Sequence, residues 1–365
     1  MNIRDFSELL KGCRAVKDKD GNIVVQSILN MSIVCLTTDD EYSLDDRFAN
    51  PLTAIKAHNT RYGQIGFVNT QNKEVIIPTQ MAVMTKQVAQ NHGMTKAGYV
   101  PKNGEVIYND AGCVQGSQTG HFRNTNEYRF LPYGMREMAF ETVGQPSSHS
   151  RIYDAINNLG AQTSTRTDSY LDKYFTKYDK KLEQFIAHFE RPNKLIGMIV
   201  LVDGEIIAVD KFPSFTYAEQ VWEMMIRDVY GSVAIVSELK NKSSKKEFTT
   251  TYETLKSKHR GDVISLLEKA LNKTKGNMTA NVTEKIEELF DITFDAVLDT
   301  EGHSRSTSAP KSYILKADGY VGQVLVESDF NHLVSIVKKE SFDPTAYRKV
   351  SELKRKARSQ QRFRL

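Results

Sequence analysis

The segment 196–230 sets the expected fold class of this chain. Its first seven residues, 196–202, form an apolar run that is too short for a buried helix and fits a buried strand. Asp203-Gly204 is the strongest two-residue hairpin signal, and residues 205–212 predict the returning strand. Because proline cannot donate a hydrogen bond to a ladder, Pro213 ends the pairing. The segment therefore predicts an antiparallel hairpin.

Helical patterns surround this hairpin. After Pro213, the apolar residues near Trp222 recur on one helical face, which predicts a helix that packs on the hairpin and buries the only tryptophan. A stronger aromatic stripe predicts a helix over 168–190, and helices are also expected from Pro146 to Gly160 and over 252–272. A second hairpin is predicted over 320–337. The expected fold class is α+β, with antiparallel β-hairpins and sheets packed against several α-helices and a basic C-terminal helix.

The sequence predicts a body of residues 1–340 followed by a basic helix or tail, 341–365. The strand pattern at Gly322 repeats the pattern at Gly197, which suggests two related halves, 1–235 and 250–340. A lysine-rich connector at 240–246 would join them. Asp343-Pro344 supplies an N-cap and a first helical residue, so the tail is expected to begin as a helix.

Positive charge is concentrated at the end of the chain. Residues 348–365 carry eight basic side chains and the single acid Glu352, a net charge of +7, whereas residues 1–347 carry 41 basic and 44 acidic residues, a net charge of −3. The basic residues are Arg348, Lys349, Lys354, Arg355, Lys356, Arg358, Arg362 and Arg364. Such a segment suits phosphates and predicts largely sequence-tolerant nucleic-acid binding, with RNA favoured over DNA. The alternatives are a solubilising or disordered terminus, or a segment that docks on an acidic partner or an anionic membrane.

Other function classes find little support. The chain has no apolar run of the ~18–20 residues that a membrane span needs, and it begins without a secretory signal. Its three cysteines are odd in number and widely spaced, so neither a disulfide framework nor a zinc ribbon is expected. This cysteine usage predicts a cytoplasmic protein. The eight histidines lack metal-binding spacing, and no nucleotide-binding or nucleophile-elbow motif is present. We therefore expect no metal and no cofactor, and a binding protein is favoured over an enzyme.

The most glycine-rich part of the chain is the loop 112–123. It contains Cys113, His121 and Arg123 between glycines that would let backbone N–H groups approach a phosphate. A cysteine with a histidine can also form a nucleophile and a base. The favoured interpretation of the loop is a structural turn region. A ligand pocket is the second interpretation, and a catalytic site is the third.

The chain resembles the ARG and rhodanese-phosphatase-associated protein domain family of bacterial and phage proteins, as a divergent and phage-type member. The resemblance spans about 65–340 and rests on Gln90-Asn91-His92, Val100-Pro101 and Cys113-Val114-Gln115, in the family's order. His92 stands where the family has arginine, and Gln115 where it has an acid, so charge-dependent chemistry of those two residues would be lost here.

The resemblance implies an α+β domain and, through the genes near family members, a connection with ADP-ribose or RNA metabolism. A rival to nucleic-acid binding is thus a protein that processes or senses ADP-ribose or another nucleotide. Its expected pocket comprises Gln90, Asn91, His92, Cys113, Gln115, Gln118, His121 and Arg123. A further alternative is a structural or assembly protein that docks on a protein partner through its tail or forms a homo-oligomer.

Overall fold

The computed structural model describes residues 5–16, 19, 23–39, 46–59, 61–85, 89–116, 120–125, 127–143, 149–242, 250–255, 292–299, 309–328 and 330–339. The strands in these ranges are β1 Cys13–Ala15, β2 Ile23–Ile28, β3 Met31–Thr38, β4 Ile55–His58, β5 Ile65–Asn69, β6 Val75–Ile77, β7 Met81–Val83, β8 His92–Gly93, β9 Gly98–Val100, β10 Glu105–Tyr108, β11 Gly112–Cys113, β12 Tyr128–Phe130, β13 Gly197–Val202, β14 Glu205–Lys211, β15 Thr250–Leu255, β16 Asp295–Asp299, β17 Lys311–Ala317, β18 Tyr320–Glu327 and β19 Phe330–Lys338. The helices are α1 Phe6–Leu9, α2 Tyr133–Glu141, α3 His149–Gln162, α4 Leu171–Ile186, α5 Phe215–Met224 and α6 Gly231–Lys242, with a π-helical turn, Met225–Tyr230, between the last two.

The predicted hairpin of residues 196–212 lies at the centre of the largest sheet. Strands β13 and β14 pair directly, with Val202 opposite Glu205 across the Asp203-Gly204 turn. Both turn residues have positive φ, 52° and 75°, as a two-residue hairpin loop of this kind requires. The sheet runs in the order β15-β2-β3-β13-β14-β19-β18-β17-β16, with β1 paired to β3. The α+β class expected from the sequence is therefore the observed one.

The largest sheet is arranged symmetrically about the β14–β19 pair. On one side, inside the edge strand β15, strands β2, β3, β13 and β14 follow chain order toward the centre, and on the other side β16, β17, β18 and β19 do the same. Asp210 and Ser335 face each other where the two sides meet. At Gly197 and Gly322 an added Cβ would lie 2.5 Å and 2.3 Å from the carbonyl oxygens of Asp210 and Ser335, so both positions need glycine. The two related halves predicted from the sequence stay a prediction.

Both faces of the central hairpin are covered, which explains its continuous apolar run. On one face Met198 and Val200 join a core that includes Trp222 of α5, which is 3% exposed. On the other face Ile199 and Leu201 pack in a second core with α1. The predicted burial of the tryptophan against the hairpin is thus observed. Smaller sheets, β10-β5-β4, β11-β8-β7-β12 and β6-β9, are also formed by the chain between β3 and β13.

Some local predictions differ from the structure. Helix α3 continues two residues past Gly160, where a C-terminal stop was expected. The glycine instead lets the chain at Thr165 and Thr167 pack closely on the helix. Residues 252–255 belong to strand β15, which pairs with β2, and not to a helix. The first three residues of the connector 240–246 continue α6. The basic helix predicted within 341–365 lies outside the described residues.

Candidate functional site

The site is built on two short strands that bring distant segments together. Strands β8 and β11 are antiparallel neighbours in the sheet β11-β8-β7-β12, and Cys113 lies directly opposite His92 in their register. A Cβ at Gly112 would fall 2.0 Å from Ile152 Cδ1, so the glycine allows α3 to pack against the strand. The helix in turn places Tyr153 beside the two strands. Residues 90–92 and 113–115 thus share one buried location.

Cys113 and His92 form a thiol–imidazole pair, with Sγ and Nε2 3.5 Å apart. His92 Nδ1 lies 2.9 Å from the carbonyl oxygen of Gln90, which can only accept, so the ring proton is assigned to Nδ1. Nε2 is then an acceptor, as its 3.4 Å contact with the Gly63 N–H also indicates. The imidazole therefore faces the thiol with its unprotonated nitrogen, which is the orientation of a general base.

Burial holds the thiol in its protonated form. It raises the pKa of Cys113 to about 11, while hydrogen bonds from the Gly63 N–H and the Tyr153 hydroxyl lower that pKa in part. Burial and the neighbouring Cys113 also raise the pKa of Tyr153 to about 12. At neutral pH the resting Cys113 is therefore a neutral thiol, and the pair lacks the preformed thiolate of a strongly activated cysteine.

Side-chain amides complete the cluster. Gln90 Nε2 donates to the Gln115 carbonyl oxygen at 2.9 Å, and Gln115 Oε1 accepts from the Asn91 N–H at 3.1 Å. Asn91 Oδ1 in turn accepts from the Thr85 N–H at 2.8 Å. Gln90 is 2% exposed, and its Oε1 has no hydrogen-bond partner within the described part of the chain. Five residues of the predicted pocket, Gln90, Asn91, His92, Cys113 and Gln115, therefore share one network.

The other predicted pocket residues have different positions. His121 and Arg123 are exposed, and the His121 ring lies 5.4 Å from that of Tyr62, centroid to centroid. Between them Phe122 is buried and contacts the His92 ring at 5.8 Å. Gln118 lies outside the described residues, as do the eight basic tail residues 348–364 predicted to bind nucleic acid.

A cavity of about 430 Å³ adjoins the network at Asn91. Its wall includes Arg129, whose guanidinium lies 4.1 Å from the centre of the Phe175 ring and bonds to Asp179 at 3.0 Å. Asp172 also lines it, with a buried Oδ1 that has no hydrogen-bond partner among the described residues. The sequence did not reveal this cavity, because Phe175 belongs to the aromatic stripe that predicted the helix over 168–190. The signal available was Arg129, a charged residue between two buried aromatic residues of β12.

Metal binding has no geometric basis in the described ranges, since no three His, Cys, Asp or Glu side chains there are grouped to hold an ion. In the same ranges, no helix combines the length and the apolar character needed to cross a membrane.

The fold and the site define an α+β protein with a large antiparallel sheet and a buried cluster of thiol, imidazole and amide groups. Residues 21–294, three-quarters of the chain, match the ARG and Rhodanese-Phosphatase-superfamily-associated Protein domain, and the chain belongs to this family. No curated protein and no solved structure matches the chain.

Proposed function

We propose that the protein binds nucleic acid, RNA in preference to DNA, through the basic segment 348–364. The observation that supports the proposal is the separation of charge, +7 in the last eighteen residues against −3 in the rest. Cations at this density neutralise phosphates and release counterions, so they supply sequence-tolerant affinity. Phe363 adds an aromatic ring that can stack on an unpaired base, which favours single-stranded RNA.

The described body contributes less positive potential than its number of cations would suggest, because many of these cations face carboxylates. Arg47 lies between Glu74 and Glu327. Arg227 likewise contacts both Glu183 and Asp228. Ion pairs of this kind reduce the field that a phosphate backbone would meet, so the proposal assigns phosphate binding to the terminal segment.

A filter-binding assay with the full chain and a chain that ends at Thr345 tests the proposal. With single-stranded RNA, log K should fall with log [salt] at a slope of about −6 if all eight cations contact phosphates. Truncation should remove most of this slope together with the affinity. A matched control replaces the exposed helix residues Lys173, Lys177 and Lys180 by Gln and should leave binding unchanged. Equal affinity of the truncated and full chains would contradict the proposal.

A second candidate is recognition of a nucleotide or an ADP-ribose-like ligand in the region 90–123, favoured by the buried network of Gln90, His92, Cys113 and Gln115 next to the cavity. The unsatisfied Oδ1 of Asp172, which lines the cavity, is an acceptor suited to the amino group of a base. A thermal-shift panel of nucleotides on the chain that ends at Thr345 separates this candidate from tail binding. A nucleotide-induced shift should disappear in Asp172→Asn and persist in the exposed-site control Asp318→Asn. No shift with any nucleotide would exclude the candidate.

A further inference from the structure

Lys96 lies in an unusual buried position, between two aspartates. Its Nζ is 2.8 Å from Asp299 Oδ1 and 3.0 Å from Asp110 Oδ2. The three side chains are 1%, 5% and 4% exposed, in the order Lys96, Asp299 and Asp110. One carboxylate is enough to neutralise a buried ammonium group, and each further buried ion costs desolvation energy. A simple ion pair would therefore need only one of the two aspartates that contact Lys96.

The neighbouring groups orient the carboxyl of Asp299. The Ser312 hydroxyl donates to Asp299 Oδ2 at 2.9 Å, and Gln323 Nε2 donates to Ser312 Oγ at 2.8 Å. One oxygen of Asp299 is thus held by a hydroxyl while the other faces the lysine nitrogen. Asp110 Oδ2 contacts the same lysine nitrogen and also accepts a hydrogen bond from the Thr95 hydroxyl at 3.3 Å. The arrangement places an amine, a held carboxyl and a second carboxyl together, away from water.

We propose that Lys96 and Asp299 condense to an intramolecular isopeptide bond, with Asp110 as the group that transfers protons. Asp110 accepts a proton from Nζ, and the freed lone pair forms a C–N bond with Asp299 Cγ. A C–O bond of Asp299 then breaks, and that oxygen leaves as water with the protons that Nζ gave up. In sum, one ammonium and one carboxylate become one secondary amide and one water molecule, so no oxidant, reductant or cofactor is required.

Two physical effects favour this reaction at the site. The fold holds the reactants in contact, which supplies a high effective concentration without loss of translational freedom. Condensation also replaces the buried ammonium and one of the two carboxylates by a neutral amide, so two of the three buried charges are removed and only that of Asp110 remains. Both effects depend on the folded state, and the bond is therefore expected only after folding.

The bond would fasten one edge of the large sheet as the described strands define it. Asp299 ends the outermost strand β16, in which Val297 and Leu298 are 58% and 48% exposed. Lys96 lies 203 positions earlier, just before β9. A covalent connection over that distance would hold β16 on the body when the strand opens, because it restricts the separated state of the two segments.

Intact-mass spectrometry of the purified, denatured full chain tests the proposal. The mass should be lower than the sequence requires by one water, about 18 Da, and fragmentation should yield a branched peptide joining Lys96 to Asp299. Asp110→Asn keeps the shape of the side chain but should restore the full mass, since the proton-transferring carboxyl is lost. Asp318→Asn, an exposed control, should keep the bond.

The wild-type mass decides the question whether or not the variants fold. A full, unreduced mass for the folded wild-type chain would overturn the proposal, and the three residues would then be an ion cluster only. A branched peptide that joins Lys96 to Asp110 would overturn the assigned roles. Retention of the bond in Asp110→Asn would likewise overturn the role of Asp110.

Discussion

Replacement of Arg136 by Met should destabilise the protein strongly. Arg136 lies in α2 and is 1% exposed, and its guanidinium bonds to both oxygens of Asp210, Nη2 to Oδ1 at 2.8 Å and Nη1 to Oδ2 at 3.2 Å. It also donates to the Tyr230 hydroxyl at 3.1 Å and to Gln80 Oε1 at 3.0 Å. The residue therefore joins α2 to the point where β14 and β19 meet.

The expected cost follows from what the substitution leaves behind. Loss of one partner of a buried ion pair costs about 3–5 kcal/mol, because the remaining charge is uncompensated. Asp210 would keep the hydroxyl donors of Tyr230 and Ser335, so the cost of the lost ion pair should lie near the lower end of that range. Gln80 Oε1 loses a donor, which adds roughly 1 kcal/mol. The total is about 4 kcal/mol, a large part of the ~5–15 kcal/mol that stabilises a typical domain.

Urea denaturation at neutral pH, followed by tryptophan fluorescence of Trp222, measures the loss. The double variant Arg136→Met with Asp210→Asn removes the stranded charge, so it should recover about half of the lost stability. A loss below about 1 kcal/mol in Arg136→Met, or a double variant no more stable than the single one, would show that the charge of Asp210 is not the source of the cost.

Three further predictions concern separate parts of the molecule. Burial lowers the pKa of His332 below 6.5, and hydrogen bonds from Arg47 and His332 overcome burial to hold the pKa of Glu327 below 4.5. The unfolded chain thus binds more protons at both sites, so the melting temperature should fall as the pH drops below 6.5 and should fall further below pH 4.5. The variant His332→Gln should remove the decrease that begins near pH 6.5. Because the pKa of Cys113 is about 11, its alkylation by iodoacetamide at pH 8 should be far slower in the folded than in the urea-unfolded chain, whereas equal rates would contradict its burial. Gly322→Ala should destabilise the protein by at least about 1 kcal/mol. Gly134→Ala lies at an exposed helical position with open space around the new Cβ, so it should be neutral or stabilising. The midpoints of urea unfolding measure both effects.

Local signals accounted for the elements of the fold that local chemistry determines. The 196–212 hairpin was predictable because its turn residues and apolar run specify strand, loop and strand without reference to the rest of the chain. The same reasoning misassigned 252–255, since a strand at the sheet edge depends on its partner β2 and carries little pattern of its own.

The candidate site was predictable only in part, for the same reason. Residues 90–92 and 113–115 were grouped through the family resemblance, and their proximity arises from the pairing of β8 with β11, which periodicity does not reveal. The clusters around Arg136 and Lys96 were not predicted at all. Their partners lie as far as 203 positions away, and sequence offers no rule that matches a buried cation with a carboxylate at that distance.

The position of β19 beside β14 has a consequence for synthesis on the ribosome. Lys211 ends β14, and the neighbouring strand β19 begins at Phe330, so the inner edge of the group β2, β3, β13 and β14 emerges well before the strand that covers it. At usual translation speeds the delay is roughly 6–25 s. During that interval the nascent chain presents an apolar, unpaired strand edge, the kind of surface that cellular chaperones shield from aggregation.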